Sequence, residues 1–537
     1  MTDPRQRRLT LEDLWLGATF LRRLPGFLRH PVSPRDALVT LRRRLDGRGT
    51  DFLALVRDRI YGYPASPYRH LLRAAGCEYG DLERLVTQDG VEPALRKLCR
   101  HGVYLTVDEF KGRRPVVRGG TTLAVHPQQL RNPTAHAHVP ARSSGSRGPA
   151  TPADVDLGFV RELVVNHCLA LGARGGAGWR HAIWSVPGTA AMKRILWLAG
   201  FGAPPVHWFS PVDPAGPDLH PRYRWSARAM RWTGELAGVS LPSPVHVPPS
   251  DPLPIVKWLA AEIGAGRTPH LSTYASAAVR LCEAARAAAI GVEGAQLTLS
   301  GEPVTEARLD AVRRIGFVAV PQYGASETGG TIGHGCLAPA EPDEIHLFGD
   351  LRAVIQPEGL TPGADLPPTA LLFSSLRPSA PFVLLNVSLG DRATLGRRTC
   401  GCLLERLGWT ARISGIRSYE KLTSGGIRLF DTDLIDVLER ALPARFGGGP
   451  TDYQLVEDES EDGHPRLRLV VDPEVGRLDA AALTEAVLAA IGTGSGAERV
   501  ASLLWRDSGF LQVERRRPEA GPGGKVLHFV PRSDPVP

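Results

Sequence analysis

Three stretches of this chain group residue types that handle phosphate and metal ions. Ser143-Ser144-Gly145-Ser146-Arg147-Gly148-Pro149 follows a strand-like run. Glycines let a backbone turn its N–H groups inward and hydroxyls add donors, an arrangement that cradles phosphate. Arg147 adds a fixed charge able to meet a polyphosphate bidentately. A serine- and glycine-rich surface linker has the same composition, and the missing GK[ST] ending argues against an ordinary P-loop. Gln322-Tyr323-Gly324-Ala325-Ser326-Glu327-Thr328-Gly329-Gly330 reads as a strand opening into a glycine turn, where α/β folds place ligand groups. Tyr323 suits stacking on a flat base, Ser326 suits a phosphate contact, and Glu327 is a hard oxygen ligand suited to Mg²⁺. A plain strand-ending turn is the other reading. Between these two stretches Ser300-Gly301-Glu302-Pro303 ends another strand. Finally, Cys336, His346, Cys400 and Cys402 offer three thiolates and an imidazole, a closed tetrahedral set for a structural zinc. The spacing alone also fits four unrelated residues, with His334 as a competing ligand.

These residues need elements to hold them. Short β-branched or apolar runs alternate with helical segments from about 115 onward. HAIWSV precedes AAMKRILWLAG, TPHLSTY precedes ASAAVRLCEAARAAA, and QLTLSG precedes TEARLDAVRRIG and then FVAVPQYG. Strand, turn, helix, strand is the grammar of an α/β fold with parallel strands. Residues 331–411 shift to short strands and turns, an appended β region. Beyond Arg412 a small α+β unit follows, with one helix expected over 427–442 and another over 478–491. The expected division is a helical extension over 1–45, a large α/β body over 46–411, and a small mobile C-terminal domain over 412–537. Residues 9–30 have helical apolar spacing with arginines opposite. A helix packed on its own domain explains this, as does a peripheral membrane contact.

Bulk composition excludes several classes. At 537 residues, with 43% hydrophobic and 22% charged, the chain suits a soluble multidomain protein. No run approaches 18 apolar residues, which argues against a spanning helix. Acidic residues precede any apolar run at the N-terminus, against a secretory signal. The net charge of +8 comes from 58 arginines scattered among acids and only six lysines, not from a basic stripe, so no nucleic-acid partner is expected. Seven cysteines, an odd and sparse number, suggest a reducing cytoplasm without a disulfide framework.

Taken in order, the motifs resemble those of the adenylate-forming superfamily of acyl-CoA synthetases, luciferases and nonribosomal adenylation domains. Residues 143–149 are similar to its (T/S)SG(S/T)TG-x-P phosphate loop. Ser300–Pro303 resembles its adenine-side strand end, and Tyr323–Glu327 its YG-x-(S/T)-E element. Gly390-Asp391 is similar to the Gly-Asp whose carboxylate holds the ATP ribose, and Arg412–Gly415 to the R-I-(T/S)-G before the interdomain hinge. Gly426–Leu438 parallels the G-V-N-V-F-P-x-x-I-E-x-V-L of the phenylacetate-CoA ligase-like branch, and Ser66–Gly76 resembles that branch's SPFYR segment. The likeness runs from about 66 to 525.

The resemblance implies roles. Gly523-Gly524-Lys525 stands where the family's C-terminal lysine approaches the carboxylate and α-phosphate, offsetting charge that builds on phosphorus. Many members of the branch carry cysteine and histidine at the places of Cys336, His346, Cys400 and Cys402. The implied reaction uses ATP and Mg²⁺ to turn a carboxylic acid into an acyl-adenylate, then passes the acyl group to coenzyme A. An amine or a carrier-protein thiol is an alternative acceptor, and a non-catalytic nucleotide-binding protein is the rival class. Departures are visible. Ala150-Thr151-Pro152 lacks the usual basic residue, and Gly415-Ile416-Arg417-Ser418-Tyr419-Glu420 replaces the hinge G-R-x-D-D. Arg428 and Asp431 stand for the usual asparagine and proline. An acid pocket is expected between 270–275 and the strand ends near Ser300 and 322–325. Leu271, Tyr274 and Tyr323 would suit an aryl or medium apolar acid.

Overall fold

In the computed structural model, which describes residues 11–135, 155–216, 222–359, 366–419, 423–424, 427–428, 431–459, 465–492, 511–521 and 524–530, most of the strand-like runs join one sheet. A small hairpin, β1 (Val116–Arg118) and β2 (Thr121–Leu123), precedes it. The main strands are β3 (Arg180–Trp184), β4 (His207–Ser210), β5 (Pro244–His246), β6 (Pro269–Thr273), β7 (Gln296–Ser300) and β8 (Val318–Ala325). They continue with β9 (Gly330–His334), β10 (Ile345–Leu347), β11 (Arg352–Ile355), β12 (Ala370–Ser375), β13 (Val387–Arg397) and β14 (Ala411–Ser418). Their order across the 12-stranded sheet is β11-β12-β13-β14-β10-β9-β8-β7-β6-β3-β4-β5.

Strand β8 is the seam of this sheet. On one side β7, β6, β3, β4 and β5 run parallel to one another and to β8. On the other side every pairing is antiparallel, starting with the β8–β9 hairpin. The appended β region therefore continues the sheet of the α/β body, edge to edge. Helical crossovers of a dozen or so residues force parallel pairing, whereas the tight turn after Ala325 permits only antiparallel pairing.

Strand alternation divides the core of the parallel half. Ala182 and Trp184 of β3 and Phe209 of β4 pack with helices Leu253–Gly264 and Ala275–Ala287 on one face. Ile183 and Trp208 pack on the other face with helices Leu157–Gly172 and Thr189–Gly200. Period-two side-chain direction makes the two faces out of a single apolar run. The helix Leu11–Arg29 joins the second face through Phe20, Leu24, Phe27 and Leu28, so its apolar stripe is packed on its own chain. The helix Pro34–Asp46, capped by Ser33, buries Ala37 and Leu41 against Phe348 and Trp409. The antiparallel half rests on the helices between Arg48 and Arg100.

The chain leaves the large sheet at Ser418, so residues 412–418 run with the body as β14. A short hairpin, β15 (Thr423–Ser424) and β16 (Ile427–Arg428), follows. Helix then starts at Asp431, four residues after the expected start. β17 (Tyr453–Glu459), β18 (Pro465–Val471), β19 (Leu511–Arg515) and β20 (Phe529–Val530) form a four-stranded sheet in the order β19-β18-β17-β20. With helix Ala480–Gly492 it builds its own core around Leu438, Leu455, Leu469, Leu483 and Val487.

Candidate active site

Parallel strands present their C-terminal ends on one edge, and the chemistry-bearing residues collect there. Ser185 follows β3, Tyr274 follows β6, Ser300 ends β7, and Gln322–Ala325 end β8. Gly301 turns the chain away with φ +79°. A Cβ at Gly301 would lie 3.1 Å from the Tyr274 ring and 3.2 Å from the Lys525 ammonium. That crowding reports a close approach: Lys525 Nζ donates to the Gly301 carbonyl at 2.8 Å and lies 4.9 Å from the Tyr274 ring centroid. The lysine is thus held by a carbonyl and an aromatic face, both able to stabilise a cation. Gly524, at φ +75°, presses so closely on Pro211 that a Cβ would come within 2.9 Å. This contact seats the turn that carries Lys525 on the loop after β4.

The β8–β9 turn holds the second group. Tyr323 donates its hydroxyl to Asp391 Oδ2 at 2.7 Å, across 68 residues of sequence. Burial, then the Asp391 charge, push the Tyr323 pKa well above its ordinary value. Gly324 pairs with Thr331 and Ala325 with Gly330, and the Ser326 carbonyl accepts from Gly329 N at 2.9 Å. Glu327 is half-buried and has no hydrogen-bond or ion-pair partner among the described residues. Two cations support the turn from behind. Lys193 Nζ donates to the Gly329 carbonyl at 3.1 Å, and Arg352 donates to the Thr331 carbonyl at 2.8 Å. Burial, with Arg352 nearby, brings the Lys193 pKa down to about 8 against the opposing pull of Glu327.

Several expectations change. Glu302, expected at the nucleotide, has its carboxylate engaged inside the fold. Its carboxylate accepts from Ser276 N and Ser276 Oγ at 2.8 Å each and from Arg308 at 3.0 Å, with a side chain 1% exposed. Arg308 also pairs with Glu439 at 2.7 Å and meets His528 at 3.0 Å and the Val526 carbonyl at 3.2 Å. Thr305 and His528 both bond Glu439. This buried network ties the large body to the C-terminal unit at Val526, one residue after Lys525, and at His528, one residue before β20. Burial would raise the Glu439 pKa, but Arg308 and His528 outweigh it and hold the group at about 2. Arg412 is the second correction. On β14 it pairs with Gly396, not with the stretch around Asp391, and its guanidinium donates to Cys400 Sγ at 3.0 Å. Leu271, expected in the acid pocket, is in the core. Ser143, Ser144, Gly145, Ser146, Arg147 and Gly148 lie outside the described residues, as does Gly523. Pro303 follows Glu302 in the turn after β7.

The four metal-ligand candidates converge. One ligand atom from each of Cys336, His346, Cys400 and Cys402 lies within 4.8 Å of all the others. His346 Nε2 is 3.4 Å from Cys402 Sγ and 3.8 Å from Cys400 Sγ. Edges of a zinc tetrahedron with sulfur and nitrogen ligands are about 3.6 Å, given the usual bond lengths. His346 Nδ1 donates to the Trp409 carbonyl at 2.6 Å, which turns the Nε2 lone pair toward the thiols. Glu405 accepts from Cys400 N and Gly401 N at 2.8 and 2.7 Å and so shapes the Cys-Gly-Cys turn. The donor set fits zinc. His334 instead bonds the Gly335 carbonyl and is not one of the four.

Residues that the motifs did not single out also matter here. Lys193 and Arg194 sit side by side in a helix that is otherwise largely apolar, and two charges inside such a run are the signal that marks them. Asp343 accepts from Gly415 N at 2.8 Å, Ile416 N at 3.0 Å and Arg417 at 3.1 Å, gripping the end of β14. Nothing in the composition near 343 advertises that contact.

No family model and no curated protein matches the chain. Among solved structures it is similar to a 2-hydroxyisobutyryl-CoA ligase in complex with 2-HIB-AMP and CoA, at 15% identity over 91% of each chain and a TM-score of 0.44. It is similar to McyG A-PCP complexed with phenylalanyl-adenylate at 12% identity, covering 83% of this chain and 72% of that one, with a TM-score of 0.42. The O-succinylbenzoate coenzyme A synthetase of Bacillus subtilis, in complex with ATP and magnesium, is 14% identical over 73% and 69% of the two chains, with a TM-score of 0.39. At these values none of them transfers a substrate or a residue role to this chain.

Proposed function

We propose that this protein is an ATP-dependent ligase that activates a carboxylic acid as an acyl-adenylate, of the phenylacetate-CoA ligase-like kind. One observation carries the reading: the Lys525 ammonium, from the C-terminal unit, sits on the Gly301 carbonyl at the C-terminal ends of the parallel strands. The neighbouring strand end offers Tyr323, Asp391 and Glu327, which has no hydrogen-bond partner among the described residues. In the reaction a carboxylate oxygen attacks the α-phosphorus of ATP, the bond to the bridging oxygen breaks, and pyrophosphate leaves with that electron pair. Lys525 stabilises the charge gathered on the phosphoryl oxygens. Asp391 accepts from ribose hydroxyls, and Tyr323, held by Asp391, gives the base a flat surface. Glu327 would hold Mg²⁺, whose charge draws the phosphate oxygens together. Residues 143–148 supply phosphate donors. The mixed anhydride is needed because a carboxylate is itself a poor acyl donor.

Coenzyme A is the proposed acceptor, with an amine or a carrier-protein thiol as alternatives. The small unit, joined after Ser418, would move between the two steps. Asp343 with Arg417 is the local grip that this movement must respect. Cys336, His346, Cys400 and Cys402 would hold a structural zinc that ties β10 to the loop between β13 and β14. The test is carboxylate-dependent exchange of labelled pyrophosphate into ATP across aryl, fatty and dicarboxylic acids. Exchange with one class supports adenylation. ATP binding without exchange for any acid, with acceptor supplied, points to a non-catalytic nucleotide-binding protein.

A further inference from the structure

Helix Thr189–Gly200 carries Lys193 and Arg194 next to each other, both buried. Successive helical residues point about 100° apart, so the two charges serve different places. Lys193 reaches the β8–β9 turn. Arg194 reaches the ends of β6 and β7, where its Nη2 donates to Ser300 Oγ at 2.5 Å and its guanidinium lies 5.6 Å from the Tyr274 ring centroid. Its Nη1 is buried and has no hydrogen-bond partner among the described residues. No carboxylate pairs with it among the described residues. Three other deeply buried arginines face carboxylates: Arg44 faces Glu162 and Asp350, Arg308 faces Glu302 and Glu439, and Arg412 faces Glu344 and Glu405; Arg352 donates instead to the Thr328 and Thr331 carbonyls.

A guanidinium stays protonated, and a desolvated charge with an idle donor costs stability unless something completes it. Arg194 is 8% exposed, and its place is at a strand end, not in the middle of a core. Ser300 Oγ, the Tyr274 hydroxyl and Ser185 Oγ, which lies 3.4 Å from that hydroxyl, line the same spot with polar atoms. Lys525 meets the same turn one residue on, at the Gly301 carbonyl, and lies 4.9 Å from the centroid of the same Tyr274 ring.

We propose that Arg194 determines specificity by pairing with a second carboxylate on the acid, distinct from the one activated beside Lys525. The substrate class is then a dicarboxylic acid, in place of the plain aryl or apolar acid that the strand-end sequence suggested. This assignment rests on the adenylation reading for where the reacting carboxylate lies. A planar guanidinium matches a carboxylate with two parallel donors, and Nη1 is the donor still free to complete such a fork. Replacing Arg194 by an apolar residue of similar length removes both the charge and its idle donor, so it should not lower the stability of the unliganded protein.

The experiment is calorimetric binding to the full chain, without nucleotide, of matched acids: hexanoate against adipate, and phenylacetate against 4-carboxyphenylacetate. The wild type should bind the diacid of one pair or both about 10- to 100-fold more tightly than its partner, the usual worth of a charge-assisted pair. Arg194→Met should erase that preference, with a melting temperature equal to or above wild type. Arg194→Lys should keep part of it. Pyrophosphate exchange with the same acids is read separately. Diacid preference without exchange would sink the adenylation reading and leave the anion site standing. A wild type that favours no diacid, or an Arg194→Met variant that weakens every acid equally, overturns the proposal.

Discussion

Lys525 is one of six lysines in the chain, and its ammonium ends 2.8 Å from the Gly301 carbonyl. If it stabilises charge in the transition state, Lys525→Ala should lower pyrophosphate exchange by about 10²- to 10³-fold, the cost of losing one such donor. Equilibrium ATP binding should be nearly unchanged, because the ground-state phosphates keep their other contacts. A variant that exchanges at wild-type rate would remove Lys525 from the chemistry. The four metal ligands make a second prediction at this scale. Elemental analysis of purified protein should find one zinc per chain, and Cys402→Ser should lose most of it. That variant should melt at lower temperature, since a structural zinc contributes folding energy. The candidate metal ligands were legible as residue types, although their spacing alone also fitted four unrelated residues. The sequence named His346 with His334 as a competitor, and the two are cross-strand partners on neighbouring strands. Only the bond from His346 Nδ1 to the Trp409 carbonyl aims one of them at the thiols.

At the scale of elements, the helix Glu306–Arg313, the helical stretch around Glu439 and strand β20 meet through one buried ionic network. Arg308 is 1% exposed and shared by Glu302 and Glu439. Removing one partner of such a set leaves uncompensated buried charge, a loss of about 3–5 kcal/mol. Arg308→Met should therefore undock the C-terminal unit. Limited proteolysis should cut the variant in that unit faster than wild type, and exchange should fall although Lys525 is intact. Protease resistance equal to wild type would show that the network does not hold the unit. The sequence marked Glu302 through the strand-end motif, and the structure gives its carboxylate Ser276 and Arg308 as neighbours. A motif records which residue stands at a turn, while rotamer and packing decide whether the side chain faces a ligand or a helix. The same reason explains Arg412, which belongs to the cysteine cluster through β14.

The whole molecule carries several buried neutral histidines. His181 Nε2 donates to the Gly176 carbonyl, so its Nδ1 must accept from His270 Nδ1 at 2.9 Å, and His270 Nε2 accepts from Thr298. Burial pulls the His181 pKa down to about 4 and that of His334 to about 3, and lowers His167 and His270 well below their ordinary value. The unfolded chain binds protons at these sites below about pH 6.5 and the folded chain does not. Stability is therefore full above that pH and falls as pH drops through the window down to about 4 and below. Glu439, held at about 2, adds a loss in the same direction below the ordinary carboxylate range. Urea melts between pH 7.5 and 4.5 should show a steadily falling midpoint. His181→Asn, which keeps a polar amide without the titration, should flatten part of that slope. A midpoint independent of pH over this range would mean that these histidines titrate alike in both states.

The sequence by itself determined the alternation of strands and helices, the glycine turns at the strand ends and the residue types of the candidate metal set, because these follow from local periodicity and backbone chemistry. Tertiary structure alone decided that β8 joins the parallel and antiparallel halves into one sheet. It also decided that Tyr323 and Asp391 meet across 68 residues, that Lys525 reaches Gly301 across 224, and that Arg194 is left buried with an idle donor. Those outcomes depend on which distant surfaces pack together. Packing is set by the sum of many weak contacts along the whole chain and is not written in any short stretch of it.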